Sequence, residues 1–217
     1  MKVSVVEGRR ARSFPNCTKV LVDVYRSTTT IPLALKAGAK CVVPTLTVAE
    51  ARSVASSIRN SVTIGERYGF KIPGFDLNNS PFDVAAYDFH GRTAIITSTN
   101  GTRVLRRIQD SGEIFIASFV NLTATIDALK ACDEVQIVLS GRPDGSADED
   151  IRFGEALRSA LLGEQVDVEK VISRVSRGRG TKRLIIIGGR RDISVSLTHD
   201  LADFPCKYED GKIVKCS

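Results

Sequence analysis

The sequence alternates repeatedly between short runs of apolar, often β-branched residues and segments of helical character. The apolar runs cover residues 19–25, 41–44, 61–64, 92–97, 113–117, 134–139 and 182–187. Strands buried in a parallel sheet have this continuously apolar pattern, because helices cover both faces of such a sheet. The alternation therefore predicts a three-layer α/β/α fold with a mostly parallel sheet, formed by a single domain over residues 1–217.

Helical segments are predicted between these runs, at residues 31–37, 48–59, 81–87, 104–110, 122–131 and 148–162. Thr47, with Glu50 three residues later, has the spacing of a capping box, and Gly38 is placed to end the first helix. Two segments fall outside the pattern. Residues 174–183, rich in Arg and Gly, are predicted as a solvated loop, and residues 207–217 as a terminal hairpin or a frayed tail.

The composition limits the classes of function. The 217 residues carry a net charge of +6, but aromatic residues make up only 6% and Trp is absent. The chain therefore lacks the stacking platform of a nucleic-acid reader, and we expect a small anionic substrate and no nucleic-acid partner. The five scattered cysteines do not have the spacing of a zinc site. No apolar run is long enough to cross a membrane and no signal peptide is evident, which predicts a cytoplasmic protein without a membrane partner.

Several catalytic motifs are absent from the sequence. It contains neither the Gly-x-x-x-x-Gly-Lys-[Ser/Thr] loop of ATP-binding proteins nor the Gly-x-Ser-x-Gly nucleophile elbow. Asp23 lacks a second Asp two residues later. This spacing argues against an aspartyl-phosphate phosphatase of the haloacid dehalogenase type.

Polar residues follow several of the predicted strands, at residues 23–30, 98–103, 118–121, 140–150 and 188–192. Ligands of open parallel sheets bind beyond the carboxyl ends of the strands, so we expect these clusters to converge on one site. The segment 65–81 is interrupted by Gly and Pro while it carries many hydrogen-bonding groups. It predicts a rigid functional loop, with an ordinary surface connection as the alternative.

The segment 99–103, Thr-Asn-Gly-Thr-Arg, has the features of a phosphate site. It lies between a predicted strand and a helix start, where backbone N–H groups are unpaired, and Gly101 would let an anion come close. Arg26 and Arg103 could add bidentate contacts to phosphate or sulfonate oxygens. The alternative is that Thr99 and Asn100 only cap the following helix.

Five carboxylates are predicted at loop or strand-end positions: Asp23, Glu66, Asp76, Glu149 and Asp150. Hard oxygen ligands of this kind suit Mg²⁺, which uses one or two carboxylates together with waters and substrate oxygens. Asp23 is informative because a carboxylate within an apolar run is costly unless it is paired, metal-bound or exposed. Glu149 and Asp150 have a simpler alternative role, since acidic residues stabilise the first turn of a helix.

Taken together and in this order, these motifs resemble the 2-phosphosulfolactate phosphatases, the ComB type. The resemblance is carried by residues 23–30, 65–67, 72–76, 79–81, 99–103, 121, 141 and 149–150. It implies a magnesium-dependent phosphatase that hydrolyses 2-phospho-3-sulfolactate to 3-sulfolactate and phosphate, a step towards coenzyme M. The chain departs from the family pattern at Ser27, Asn78, Phe82 and Asp83 and in the helix after Asp150, which leaves the exact substrate open.

With this resemblance, each predicted site residue receives a role. The predicted catalytic residues are Asp23, Arg26, Glu66 and Asp76, and the predicted Mg²⁺ ligands are Asp23, Asp76, Glu149 and Asp150. The predicted substrate-binding residues are Thr28, Thr29, Thr30, Arg67, Asn79, Ser80, Thr99, Asn100, Gly101, Thr102, Arg103, Ser118, Asn121 and Arg190.

Two alternatives to this function stay open. One is a phosphatase of the same family that acts on a different small anionic phosphate monoester. The other is a non-catalytic protein that binds anions or nucleic acid through the same basic loops. The sequence does not specify the oligomeric state, and a homodimer is one option.

Overall fold

The structure is a computed structural model that describes residues 1–145 and 147–216. Its strands are β1 (Lys2–Glu7), β2 (Thr18–Val22), β3 (Cys41–Thr45), β4 (Ser61–Arg67), β5 (Phe70–Lys71), β6 (Thr93–Thr97), β7 (Ile114–Ala117), β8 (Glu134–Leu139), β9 (Cys206–Glu209) and β10 (Lys212–Lys215). Its helices are α1 (Ser27–Lys36), α2 (Val48–Ser57), α3 (Pro81–Ala85), α4 (Gly101–Ile108), α5 (Leu122–Leu129), α6 (Asp148–Leu161), α7 (Val168–Ser176), α8 (Arg179–Ile186) and α9 (Arg190–Ser196), with a 3₁₀ turn at Phe119–Asn121.

All ten strands belong to one sheet, in the order β1-β8-β2-β7-β9-β10-β3-β6-β4-β5. Two groups of strands are parallel, β1-β8-β2-β7 and β3-β6-β4. The β9–β10 hairpin lies between the groups and joins them through three antiparallel pairings. Because each antiparallel pairing reverses the strand direction, the two parallel groups run in opposite directions. The prediction of a mostly parallel sheet is confirmed, but its strands have two sets of carboxyl ends.

Helices cover both faces of the sheet, which confirms the three-layer α/β/α prediction. On one face, α1, α3 and α4 pack over apolar side chains from both parallel groups. On the other face, α5, α6 and α7 pack on the first group and α2 packs on the second. Helix α4, which follows β6, also contacts β2, and α1, which follows β2, also contacts β3. The segments that follow β2 and β6 lie close together, because Gly101 packs against the side chain of Asp23.

The predicted parallel strand at residues 182–187 is wrong, and so is the predicted loop at residues 174–183. Both segments are helical, since α7 ends at Ser176 and α8 runs from Arg179 to Ile186. A buried strand would hide the whole apolar run, whereas here Leu184 is buried and Ile186 is 82% exposed. Helical spacing instead puts one side of the run against the protein and leaves the other side in solvent.

The remaining predicted helices and strands are present, with ends that shift by a few residues. Strand β1 is an addition that the sequence pattern did not indicate. The C-terminal segment forms the β9–β10 hairpin, which confirms one of the two alternatives predicted for it. The hairpin lies in the middle of the sheet. Ser146 and Ser217, which belong to predicted segments, lie outside the described residues. Among the described helices, none has both the length and the apolar character needed to cross a membrane.

Candidate active site

A cleft of ≈ 260 Å³ opens where the loops after β2, β4 and β6 face helix α8. Six residues predicted from the sequence line it: Asp23, Arg26, Glu66, Asn79, Thr99 and Asn100. It is also lined by residues without a predicted role: Tyr25, Ser27, Tyr68, Gly69, Arg142, Pro143, Asp144, Gly180, Arg183, Leu184 and Ile187. The structure thus brings part of the predicted site together. The rest of the cleft is formed by residues from the loop that precedes α6 and from α8.

Asp23 lies at the base of the cleft, directly after β2, and is only 4% exposed. Its backbone is fixed by Thr28, whose hydroxyl accepts from the Asp23 N–H at 2.9 Å and whose N–H donates to the Asp23 carbonyl at 3.1 Å. The pKa of Asp23 is raised from 3.8 to about 6, mainly by burial and also by the nearby charges of Glu66 and Glu149, while a hydrogen bond from Ser27 opposes the shift. The buried carboxylate is therefore a costly group that the fold retains.

Gly101, the first residue of α4, packs directly against this carboxylate. A Cβ at Gly101 would lie 2.7 Å from Asp23 Oδ2 and 2.8 Å from Ser27 Cβ. Contacts that close do not occur for real Cβ atoms, so only glycine lets the starts of α1 and α4 approach each other here. The predicted role of Gly101, access for an anion, is joined by a structural one.

Arg26 is buried and connects three parts of the chain. Its Nη2 donates to the carbonyl of Gly69 at 2.9 Å, and its Nη1 forms an ion pair with Asp192 Oδ2 at 3.4 Å. Asp192, in α9, also accepts from the Ser80 hydroxyl and from the N–H of Phe82. This network holds the guanidinium in one place at the wall of the cleft.

Glu66, at the end of β4, acts on the shape of the cleft through backbone hydrogen bonds. Its carboxylate accepts from the Thr99 N–H at 2.5 Å, from the Thr99 hydroxyl at 3.0 Å and from the Gly69 N–H at 2.7 Å. It therefore ties the β4–β5 turn to the loop before α4. This geometry makes Glu66 a positioning residue.

Two further carboxylates, Glu149 and Asp150, lie in the first turn of α6 and are buried. Arg142 forms an ion pair with Glu149 Oε1, while Glu149 Oε2 is buried without a hydrogen-bond partner among the described residues. Asp150 accepts from the Val24 N–H at 2.9 Å and from the Ser140 hydroxyl at 3.0 Å. Burial raises the pKa of both carboxyls, and the neighbouring negative charges add to the rise for Asp150. Asp150 thus stabilises the loop after β2, and Glu149 has one carboxylate oxygen without a hydrogen-bond partner among the described residues.

Helix α8 forms the wall of the cleft that the sequence analysis missed. Its cleft-lining residues, with the one that follows its end, are Gly180, Arg183, Leu184 and Ile187. They recur at intervals of three and four residues, which is a helical spacing. This spacing is present in the sequence, but the consecutive isoleucines give the segment the pattern of a buried strand. A Cβ at Gly180 would lie 2.0 Å from Glu149 Oε2, so glycine permits the close packing of α8 on α6. Arg183 extends to Asp144 on the opposite loop, at 2.6 Å.

The three threonines predicted to bind substrate instead build the loop. Thr28, Thr29 and Thr30 are fully buried. The Thr29 hydroxyl donates to the Val24 carbonyl at 2.8 Å, and the Thr30 hydroxyl donates to the Arg26 carbonyl at 3.0 Å. With their hydroxyls used in this way, they hold the turn between β2 and α1.

Ser80, Thr102, Ser118 and Asn121 also serve the local structure. The hydroxyls of Ser80 and Thr102 accept backbone N–H groups within four residues. Asn121 accepts from the Ser118 N–H at 3.1 Å and donates to the Ile116 carbonyl at 2.9 Å, which stabilises the 3₁₀ turn. None of the four lines the cleft.

Four more predicted residues lie outside the cleft: Arg67, Asp76, Arg103 and Arg190. Arg67 is turned towards the sheet and donates to Thr97 Oγ1 at 2.9 Å. The Asp76 carboxylate accepts from the N–H and the hydroxyl of Thr63, both at 2.7 Å, beside the middle of β4. Arg103 and Arg190 are exposed. The geometry therefore gives no support for Asp76 as a metal ligand, because it lies beside the strand and the cleft lies at the strand's end.

Unpartnered polar groups remain at the base of the cleft. The Asn79 side-chain N–H donates to Ser27 Oγ at 3.2 Å, but Asn79 Oδ1 is buried without a partner in the described part of the chain. The N–H groups of Ser27 and Gly101 open α1 and α4 and, within residues 1–145 and 147–216, have no acceptor. The first N–H groups of a helix lack an intrahelical acceptor, so together with Asn79 Oδ1 these groups are available to a ligand.

The carboxylates near the base of the cleft are the donor set available to a magnesium ion. The described residues contain no group of three or more His, Cys, Asp or Glu side chains placed to hold a metal. Mg²⁺ needs only one or two protein carboxylates when water and substrate complete its shell. Asp23 and the unpartnered Oε2 of Glu149 are hard oxygen ligands of the right kind, so these residues fit the ion.

Comparisons with known proteins agree on one family. A family model described as 2-phosphosulpholactate phosphatase matches residues 3–211. A "Probable 2-phosphosulfolactate phosphatase" of Thermoplasma volcanium is 38% identical over 98% of both chains. The protein of the same name from Thermoplasma acidophilum is 39% identical over 98% of this chain and 95% of its own, and that of Thermotoga petrophila is 34% identical over 85% and 86%. The chain therefore belongs to the 2-phosphosulfolactate phosphatase family of phosphoric monoester hydrolases.

Proposed function

We propose that this protein hydrolyses 2-phospho-3-sulfolactate to 3-sulfolactate and phosphate, with Mg²⁺ as its cofactor. The observation that carries the proposal is the buried carboxylate of Asp23 between two helix starts, in a cleft that also contains Arg26, Arg142 and Arg183. The names of the relatives support the substrate. On this proposal the reaction is a step towards coenzyme M.

The phosphate is proposed to bind at the starts of α1 and α4. The free N–H groups of Ser27 and Gly101 lie at the positive ends of these helices, where anions are stabilised. Arg26 adds a guanidinium that its own hydrogen bonds hold in place. Donors fixed before the substrate arrives stabilise the charge of the transition state without reorganisation, which is the main contribution expected for phosphate transfer.

Asp23 is the carboxylate that remains for the reaction. Of the three acidic residues that line the cleft, Glu66 is occupied by Thr99 and Gly69, and Asp144 is paired with Arg183. Asp23 alone faces the two helix starts. We assign Asp23 to the site of attack on phosphorus. Asp23 and Glu149 are the residues that would hold Mg²⁺.

Bound at these carboxylates, Mg²⁺ would stabilise charge on the phosphoryl oxygens and lower the pKa of the attacking water. The protein's own part is to keep Asp23 and Glu149 desolvated and close to Arg142, whose ion pair orients Glu149. Burial of several carboxylates together is costly unless a cation compensates them. That cost supports the proposed ion.

The sulfonate and carboxylate of the substrate are proposed to face Arg142 and Arg183. Both side chains line the cleft, Arg142 from the loop after β8 and Arg183 from α8. The guanidinium fork suits planar or tetrahedral oxyanions. A cleft of ≈ 260 Å³ has room for a three-carbon acid.

The proposal is tested by phosphate release from 2-phospho-3-sulfolactate with Mg²⁺ and with EDTA. We expect release that requires the metal, and thermal unfolding at a higher temperature when Mg²⁺ is present, because an ion that binds only the folded state stabilises it. A panel of other small phosphate monoesters is the control. Release from another ester alone would assign a different substrate to the same site, and no release from any ester would favour the non-catalytic alternative.

Gly101→Ala tests the contact between the two helix starts. An added Cβ would push Asp23 and Ser27 aside, so we expect phosphate release to fall at least about tenfold. Alanine has the higher helix propensity, by about 1 kcal/mol relative to glycine, so a merely local effect on α4 would leave the protein as stable or more stable. A variant with full activity and an unchanged melting temperature would contradict the packing described for Gly101.

A cytoplasmic location and a homodimer stay predictions from the sequence. Gel filtration with light scattering on the purified protein tests whether it is a homodimer.

A further inference from the structure

A second, larger groove borders the cleft and is strongly basic. It has a volume of ≈ 730 Å³ and lies between the loop after β8, α6 and the turn from α7 to α8. Its lining includes six cationic side chains: Arg142, Arg152, Arg177, Arg179, Lys182 and Arg183. Among the described residues, its acidic lining consists of Asp144 and Asp148. The proposed hydrolysis uses Arg142 and Arg183 but gives no role to the other four cationic side chains.

The acidic residues near the groove are already paired. Asp144 binds Arg183 at 2.6 Å, Asp148 binds Arg152 at 3.0 Å, and Glu149 binds Arg142. The other three cations are Arg177, Arg179 and Lys182, which are exposed and have no acidic partner within 4.0 Å in the described part of the chain. Like charges gathered on one short turn repel each other, which lowers stability unless an anion is bound.

We propose that this groove binds a linear polyphosphate, the class of ligand that includes tripolyphosphate and nucleoside triphosphates. Three uncompensated cations match three or four phosphate charges, and charge-assisted hydrogen bonds from Arg favour phosphate oxygens. A volume of ≈ 730 Å³ is within the range of sites for drug-sized ligands and exceeds what a single phosphate needs. The N-terminus of α8, at Arg179, adds the positive end of a helix.

The same observations favour a small polyphosphate over nucleic acid. None of the residues that line the groove is aromatic, so it has no surface on which bases could stack. The groove is also local, since its cations come from two short segments and from one position in α6. A nucleic-acid site would extend further along the backbone of its ligand.

Arg142 and Arg183 line both the groove and the cleft. A polyphosphate in the groove would attract these two side chains away from their carboxylate partners. Bound ligand would thereby change the wall of the cleft, and the groove and the cleft would be coupled. This inference goes beyond the proposed hydrolysis and does not depend on it, because its test measures binding.

The test is isothermal titration of the full chain with tripolyphosphate, with a nucleoside triphosphate and with orthophosphate, at constant ionic strength and with EDTA. We compare the wild type with the variant R177A/R179A/K182A, which leaves every cleft residue intact. The matched control is R59A/R158A/K170A, which removes three exposed cations elsewhere and lowers the net charge equally. Circular dichroism checks that both variants are folded.

We expect the wild type and the control to bind tripolyphosphate equally, and the groove variant to bind it at least about tenfold more weakly. Equal affinity in all three proteins, or an equal loss in both variants, would overturn the proposal, since binding would then depend on the cleft or on net charge. Orthophosphate that binds as tightly as tripolyphosphate would overturn it as well. A short RNA that outcompetes both polyphosphates would assign the groove to nucleic acid instead.

Discussion

Asp23→Asn is expected to abolish phosphate release while making the metal-free protein more stable. Of the acidic side chains that line the cleft in the described part of the chain, Asp23 alone is bound neither by a backbone N–H nor by an arginine, and an amide cannot replace a carboxylate as a ligand of Mg²⁺. We expect a fall in kcat/KM of at least about a thousandfold, on the order of what loss of one strong transition-state interaction causes. The measurement is phosphate release with saturating Mg²⁺.

The stability effect has the opposite sign because burial raises the pKa of Asp23 from 3.8 to about 6. The folded state holds the proton more tightly than the unfolded state, so ionisation costs stability progressively between pH 3.8 and about 6. The full cost, on the order of 3 kcal/mol, is present above that range. Urea unfolding in EDTA should therefore show Asp23→Asn to be more stable than the wild type at pH 7.5, with the difference vanishing towards pH 4.

Asp76→Asn is the matched control for this experiment. It makes the same chemical change in a residue that the sequence predicted as catalytic and as a metal ligand, but its exposed carboxylate binds Thr63 outside the cleft. We expect activity within a few-fold of the wild type. If Asp76→Asn were inactive and Asp23→Asn active, the sequence-based assignment of Asp76 would be right and the site described here would be misplaced.

Arg26→Ala is expected to have the second-largest effect, and to lower both stability and activity. Removal of the guanidinium leaves the buried carboxylate of Asp192 without its ionic partner and the Gly69 carbonyl without its donor. Breaking a buried ion pair from one side costs about 3–5 kcal/mol in the free energy of unfolding. Loss of a fixed donor at the phosphate should lower kcat by a further factor of about 100 or more.

Arg190→Ala is the control for Arg26, since it removes an exposed arginine from the start of the same helix, α9, that contains Asp192. We expect its unfolding free energy to stay within about 0.5 kcal/mol of the wild type. A double-mutant cycle with Asp192→Asn separates the two roles of Arg26: the stability losses should not add, because both variants break one pair. Additive losses would mean that the ion pair does not stabilise this part of the fold.

The polyphosphate groove extends the same reasoning to the turn between α7 and α8, which the sequence predicts only as a solvated basic loop. Its cations are recognisable in the sequence, but their convergence with Arg142 and Arg183 is not. The groove and the cleft share these two arginines. Activity assays at increasing tripolyphosphate would show whether occupation of one affects the other.

Local patterns in the sequence determined the layers of this fold. Continuous apolar runs such as residues 114–117 are buried within the layers, and caps such as Thr47 mark a helix start through contacts within a few residues. Asp23 was singled out for the same reason, since a carboxylate within an apolar run is expected to be paired, metal-bound or exposed; the structure shows that it is buried. These features depend on neighbours in the chain, so sequence periodicity reports them.

Tertiary structure alone decided which polar residues face the cleft. A hydroxyl such as that of Thr29 or Thr30 satisfies the sequence pattern of a ligand-binding loop and of a backbone cap equally well, and in the structure it donates to a nearby backbone carbonyl. The reversal of strand direction across the β9–β10 hairpin and the approach of α8 to α6 depend on contacts between residues far apart in sequence. Arg142, Arg183 and Gly180 enter the site through those long-range contacts, because a side chain's partners are set by where the whole chain packs.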